Sequence, residues 1–92
     1  DYAEMEVNRG IATLEAAIRA TYALSGDIIP IDFGIGEGKT ALTKLFPIGP
    51  IACITPFNFP LNLALHKVAP ALAVGCSFIL KPPPQAPLTA LA

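Results

Sequence analysis

The chain has 92 residues, a formal net charge of -1 and an isoelectric point near 5.6, which argues against electrostatic binding to nucleic acid or anionic lipid. It is 53% hydrophobic and only 14% charged, far more apolar than a free-standing domain of this size needs, because small domains keep much of their area wet. The excess is expected to be buried against something, and a chain that opens at Asp1 and stops at Ala92, inside a new helix after Pro87, reads as a fragment of a longer one.

No formal charge falls between Lys44 and Lys67, a span long enough to raise the question of a membrane helix. Pro47, Gly49, Pro50, Pro56, Asn58, Pro60 and Asn62 would break or desolvate such a helix, and the other uncharged run, Val68 to Leu80, has the length of core. No signal-peptide pattern opens the chain. Cys53 and Cys76 sit inside apolar runs without CxxC spacing, which fits buried reduced thiols rather than a disulfide or zinc site. A cytoplasmic location is the expectation.

From Ala3 to Ser25 the apolar positions Val7, Ile11, Leu14 and Ile18 recur at helical spacing, so one helix is expected there with a packing role. Glu15 and Arg19 pair on its wet side. Asp1, Glu4 and Glu6 favour its amino end, and Gly26 stands where a left-handed cap is expected.

Asp27 to Phe33 is short, apolar and interrupted by Pro30; it leads into Gly34-Ile35-Gly36-Glu37-Gly38-Lys39-Thr40. A phosphate loop would need GxxxxGK[ST] with a helix starting at the lysine. Phe33 occupies the first glycine's place, and Ala41 to Phe46 runs straight to Pro47, so a flexible glycine turn between extended segments is the favoured reading. Thr40 to Phe46 reads as a strand outside the main sheet, of a kind that pairs with another part of the chain or another subunit. No internal repeat or low-complexity tract is present.

Ile51 to Pro84 organises the chain. Ile51–Ile54 is a buried strand; after the turn Thr55 to Pro60 comes a helix in which Leu61, Leu65, Val68 and Leu72 share a face. Pro60 suits the first turn of that helix, Pro70 should kink it and Gly75 should end it. Ser77–Leu80 is a second buried strand, left through the rigid Lys81-Pro82-Pro83-Pro84. Strand, helix and strand make a βαβ unit, with parallel strands, a right-handed crossover and a ligand crevice outside the carboxyl ends. Asn58 and Lys81 would then face one crevice.

Each candidate has two readings. Asn58 is a turn former or helix cap, or a neutral N–H₂ donor held rigidly between Pro56 and Pro60 to stabilise an oxyanion. Lys81 snorkels to solvent or binds the phosphate or ribose of a nucleotide; its place in the βαβ unit favours the ligand. His66 and Lys67 are ordinary flanks of the crossover helix, with no acidic partner near His66 in sequence. Burial in mid-strand argues against Cys53 as a nucleophile.

The segment PIGPIACITPFNFPLNLALHKVAPALAVGCSFILKPPPQAPLTAL resembles the NAD(P)-dependent aldehyde dehydrogenase superfamily. It carries in order the proline-glycine lead-in, the PFNFP turn, the Lys67…Pro70-Ala71-Leu72 helix, the Gly75 stop and the Lys81-Pro82 exit. PFNFP with KPPPQ is most similar to the branch of lactaldehyde and non-phosphorylating glyceraldehyde-phosphate dehydrogenases.

The resemblance implies an enzyme in which a cysteine thiolate attacks the aldehyde, hydride passes to nicotinamide, and water or another acceptor resolves the thioester. Catalytic roles fall on Asn58, matching the family's oxyanion asparagine, and on Lys67, matching a helix lysine that supports the active-site network. Ile54, Thr55, Pro56 and Phe57 match the turn lining the dinucleotide, and Lys81 matches the lysine on the adenosine ribose or its phosphate. Pro84 stands where many NAD-using members place a glutamate against the ribose hydroxyls, so the cofactor is NAD or NADP. The nucleophilic cysteine and general-base glutamate match no position here, and the 92-residue piece alone is expected to be inactive.

The resemblance also implies one incomplete α/β domain, a partial Rossmann-like dinucleotide-binding domain. Its helix spans 1–26, its connector and part of an oligomerisation strand arm span 27–50, and the dinucleotide-binding βαβ unit starts at 51–92. The full-length form is expected to take a small-molecule aldehyde and to be a homo-oligomer, with no nucleic-acid or membrane partner. A competing reading is a non-catalytic nucleotide-binding or oligomerisation module that keeps the βαβ scaffold. A P-loop nucleotide hydrolase, resting on Lys39, comes third.

Overall fold

A computed structural model describes residues 1–91. The first helix, α1, spans Tyr2–Thr21. Asp1 caps it, its carboxylate accepting from the Ala3 N–H at 3.0 Å, and Arg19 in the last turn pairs with Glu15 at 3.4 Å. The helix stops earlier than the expected Ser25, at a right-handed Tyr22, and Gly26 is not a left-handed cap, since its φ is not among the positive ones.

Gly26 has a different purpose. A Cβ there would lie 1.7 Å from the Thr43 carbonyl oxygen, so only glycine allows the two backbones to meet. Next to it the Asp27 N–H donates to Thr43 Oγ1 and the Thr43 N–H to the Asp27 carbonyl, both at 2.8 Å. These bonds close an antiparallel hairpin of β1 (Ile28–Ile29) and β2 (Ala41–Leu42). The strand expected over Thr40 to Phe46 shrinks to Ala41–Leu42; Pro30, which falls opposite Thr40 in this register, ends the ladder on one side.

Between these strands Gly34–Gly36 forms a short 3-10 turn. Asp32 accepts from the Gly38 N–H at 2.6 Å, and Lys39 Nζ folds back onto the Ile35 carbonyl at 3.1 Å. The lysine of the glycine stretch thus serves its own turn, and β2 rather than a helix follows it.

The strands β3 (Ile51–Ile54) and β4 (Phe78–Lys81) pair in parallel, with Ile51 opposite Phe78 and Ile54 opposite Lys81. Helix α2, Asn62–Ala73, connects them and packs on both. Helical bonding already begins at the Phe59 carbonyl, which accepts from the Leu63 N–H at 3.0 Å, so Pro60 sits in the first turn where its missing donor costs nothing. Pro70 leaves the His66 carbonyl without a helical donor, and both residues lie on the exposed side.

Gly75 ends α2 at φ 76°. Its N–H bonds to the Leu72 carbonyl at 3.0 Å and that of Cys76 to the Ala71 carbonyl at 2.9 Å, the paired bonds of a Schellman cap. A last short helix, α3 (Leu88–Leu91), follows Pro87.

The core is small: Cys53, Ala64, Ala69, Ala71 and Cys76 are buried with Thr55 and Asn62, and both cysteines are free. The apolar stripe of α1 lies beside the centre of its contact with α2, where Leu14 and Ile18 line an open groove with Ala69, Leu72 and Ala73. Ile18 is 61% exposed, and Val7, Ile11 and Leu14 are exposed with it, while buried Gly10 is the contact, its hydrogen side 2.9 Å from Leu65 Cδ1 if a Cβ is added. Small residues let two helix backbones approach more closely than Val or Ile would. On α2, Leu61, Leu65 and Val68 are half-buried as expected but Leu72 is exposed, because the helix turns its alanines inward.

The radius of gyration is 18.9 Å, against about 12 Å for a compact chain of this length. The apolar excess of the composition therefore remains on the surface of an elongated unit. No helix among the described residues is long and apolar enough to cross a membrane.

Candidate functional site

The carboxyl edge of the β3–β4 pair brings two candidate segments side by side. Ile54 and Lys81 are register partners there, and the Thr55 N–H reaches the Lys81 carbonyl at 3.4 Å. The turn Thr55 to Pro60 and the exit Pro82 to Pro84 therefore leave the sheet together. Lys81 and Pro84 are exposed, as are Ile54, Pro56, Phe57 and Asn58.

Thr55 differs from its neighbours. It is 5% exposed, and its Oγ1 is buried without a hydrogen-bond partner among the described residues. Leaving such a hydroxyl unpaired costs about 1–3 kcal/mol, so the site is short of one polar partner. An exposed cation, an orphaned hydroxyl and exposed apolar surface at Ile54 and Phe57 fit a ligand with both an anionic or hydroxylated part and a flat apolar part, as a dinucleotide has.

Asn58 does not cap α2. The cap residue is Leu61, which has no side-chain cap bond, and among the described residues the Asn58 side chain forms no hydrogen bond. Its amide is thus free to meet a substrate. Lys67 lies five residues into α2, about 7 Å along the axis from the helix start, and is exposed.

Three residues of α1 hold the Asn58 loop. Glu6 Oε1 accepts from the backbone N–H of Leu61 at 2.9 Å and of Asn62 at 3.2 Å. The Arg9 guanidinium lies 5.2 Å over the Phe59 ring. Thr13 Oγ1 donates to Asn62 Oδ1 at 2.8 Å. In the sequence Glu6 reads as a charge favourable to its own helix; in the structure it caps another. The available signal was negative, a helix opening on Pro60-Leu61 without its own capping side chain, which says that a remote acceptor is needed but not which.

A parallel strand pair joined by a crossover helix, with its loops and a lysine at the carboxyl edge, defines a partial Rossmann-like α/β unit. Over residues 1–92 the chain matches the model of the aldehyde dehydrogenase family. It is 41% identical over 87 residues to a 3-sulfolactaldehyde dehydrogenase of Priestia aryabhattai, an alignment covering 94% of this chain and 18% of that protein. Aldehyde dehydrogenase 21 from Physcomitrella patens, crystallised with the product succinate, superposes with a TM-score of 0.83 at 47% identity, covering 94% of this chain and 18% of that one. The glyceraldehyde-3-phosphate dehydrogenase GapN of Methanocaldococcus jannaschii, complexed with NADP, gives 0.82 at 38% identity, with 95% and 18% covered.

The chain belongs to the aldehyde dehydrogenase family, and it spans about a fifth of the length of the relatives it matches.

Proposed function

We propose that the protein containing this chain oxidises an aldehyde to a carboxylic acid or acyl thioester, with NAD or NADP as hydride acceptor. The observation that carries the reading is the pairing of Ile54 with Lys81, which sends the Asn58 loop and the proline exit out of one sheet edge. The dinucleotide would be held by Ile54, Thr55, Pro56, Phe57, Lys81 and Pro84, and when bound it supplies the acceptor for the aldehyde's hydride. Thr55 Oγ1 would gain a partner there, and the Lys81 ammonium would meet the adenosine ribose or its phosphate.

Asn58 donates its amide N–H to the oxygen of the aldehyde as charge develops on it. A neutral donor on a loop bracketed by Pro56 and Pro60 is suited to that task, since it needs no reorganisation at the moment of reaction. Lys67, exposed on α2, supports the active-site network. Pro84 offers no carboxylate to repel a 2′-phosphate, so NADP is accepted at least as well as NAD. The family relative from Methanocaldococcus jannaschii complexed with NADP supports this.

The chain is one incomplete domain of the enzyme, and the β1–β2 hairpin belongs to its oligomerisation arm in a homo-oligomer. Exposed Ile28 and Leu42 on a two-strand ladder away from the β3–β4 pair support this. Free, buried Cys53 and Cys76 support a reducing, cytoplasmic setting. Neither is an accessible nucleophile, so the 92-residue chain by itself does not turn over aldehyde. The branch is that of lactaldehyde and non-phosphorylating glyceraldehyde-phosphate dehydrogenases, supported by the likeness to a 3-sulfolactaldehyde dehydrogenase and to GapN.

The test is aldehyde turnover by the whole protein. Asn58→Ala is expected to lower kcat by about 10²–10³-fold while dinucleotide binding is retained; wild-type turnover in that variant would remove Asn58 from the mechanism.

A further inference from the structure

We infer that Glu6, assisted by Arg9 and Thr13, is a positioning residue for Asn58, acting from the first helix on the loop that carries the oxyanion donor. The inference rests on the reading of Asn58 given above. Pro56 and Pro60 stiffen the loop on either side, but a proline fixes only its own φ, and the loop can still pivot as a whole. The Asn58 side chain has no bond of its own to hold it among the described residues. Its orientation is set by the residues that follow it.

Those residues are gripped from α1. Glu6, Arg9 and Thr13 stand at steps of three and four, on one side of the helix, and they engage Asn62, Leu61 and Phe59. One carboxylate oxygen bridges two backbone N–H groups, at 2.9 Å and 3.2 Å. A cation sits 5.2 Å over the ring next to Asn58 in sequence. A hydroxyl bonds the amide oxygen of Asn62, which is 2% exposed, at 2.8 Å. Without Glu6 the α2 amino end has no local replacement, because Leu61 has no capping side chain. The loop would then be free to tilt, and a displacement of the order of 1 Å at a reacting group costs about 10²-fold in rate.

The test is steady-state kinetics and dinucleotide binding on the whole protein, wild type beside Glu6→Ala, Glu6→Gln, Asn58→Ala and the Glu6→Ala/Asn58→Ala double variant. Glu6→Ala is expected to lower kcat by about 10–100-fold, with KM for the aldehyde and Kd for the dinucleotide within about threefold of wild type. Glu6→Gln keeps an acceptor oxygen and should recover most of kcat. The double variant should be no slower than Asn58→Ala alone, because a displaced donor and an absent one are equivalent.

Unchanged kcat per folded enzyme in Glu6→Ala, even with a lowered melting temperature, would overturn the positioning role and leave Asn58 standing. So would losses that multiply in the double variant. Wild-type turnover by Asn58→Ala would sink the reading of Asn58, and this inference with it. Should Glu6→Ala fail to fold, Thr13→Val decides: it keeps the shape and loses the hydroxyl, a fall in kcat of about threefold or more supports the inference, and no fall overturns it.

Discussion

Glu6 Oε1 lies 2.9 Å from the backbone nitrogen of Leu61, fifty-five residues further along the chain. The bond makes α1 a structural part of the βαβ unit, since the first turn of α2 would otherwise carry unsatisfied N–H groups. A carboxylate there also meets the positive end of the α2 dipole. Loss of a cap costs about 0.5–2 kcal/mol, and Glu6→Ala should lower the stability of the whole protein by that amount, read by denaturant unfolding. Glu6→Gln should lose less.

The close approach of α1 and α2 is set by Gly10. Gly10→Ala places a methyl 2.9 Å from the end of the Leu65 side chain, which can rotate away, and the gain in helix propensity of about 1 kcal/mol offsets the crowding. Gly10→Val has no such escape and should destabilise by about 1–3 kcal/mol. Thermal unfolding of the two variants side by side checks the difference.

Gly26 is constrained by backbone, which cannot rotate away. Gly26→Ala puts Cβ 1.7 Å from the Thr43 oxygen and should part Asp27 from Thr43. Amide hydrogen exchange at Thr43, whose N–H donates to the Asp27 carbonyl, should accelerate at least about tenfold, while exchange in α2 is unchanged.

The buried, unpartnered hydroxyl of Thr55 separates apo stability from binding. Thr55→Val keeps the β-branched shape and removes the orphan, so it should leave the ligand-free protein as stable or up to about 1 kcal/mol more so. Dinucleotide binding should weaken by about tenfold. Calorimetric titration alongside unfolding measures both; tighter binding in the variant would contradict the proposed contact.

Lys81 and Pro84 divide affinity from selectivity. Lys81→Ala should weaken the dinucleotide by about tenfold, and more at low salt. Pro84→Glu, which introduces a carboxylate, should shift the ratio of kcat/KM for NADP over NAD by about tenfold toward NAD. An unchanged ratio would mean that the 2′-phosphate lies elsewhere.

Much of the architecture was legible along the chain because its signals are local. The run Ile51–Ile54, the Gly75 stop and Phe33 in place of a phosphate-loop glycine each act within a few residues, and the first strand, the end of α2 and the glycine turn follow from them, while the second strand, expected over Ser77–Leu80, forms one residue later at Phe78–Lys81. What misled was also local in origin. The Val7, Ile11, Leu14, Ile18 stripe is a true helical period, but a period does not say what lies opposite: the closest contact with α2 runs through Glu6, Gly10 and Thr13, and Leu14 and Ile18 only flank it. Gly26 sits where a helix cap is common, yet it is required by Thr43, seventeen residues on.

The sequence by itself determined the element types, the parallel pairing implied by strand, helix and strand, and Asn58 and Lys81 as the residues to watch, because backbone preference and hydrophobic period are properties of neighbours. Only the tertiary structure decided that Ile54 and Lys81 share a register and that Glu6, Arg9 and Thr13 hold the Asn58 loop. Those are contacts across tens of residues, and a hydrogen bond between distant positions leaves no periodicity in the sequence to announce it.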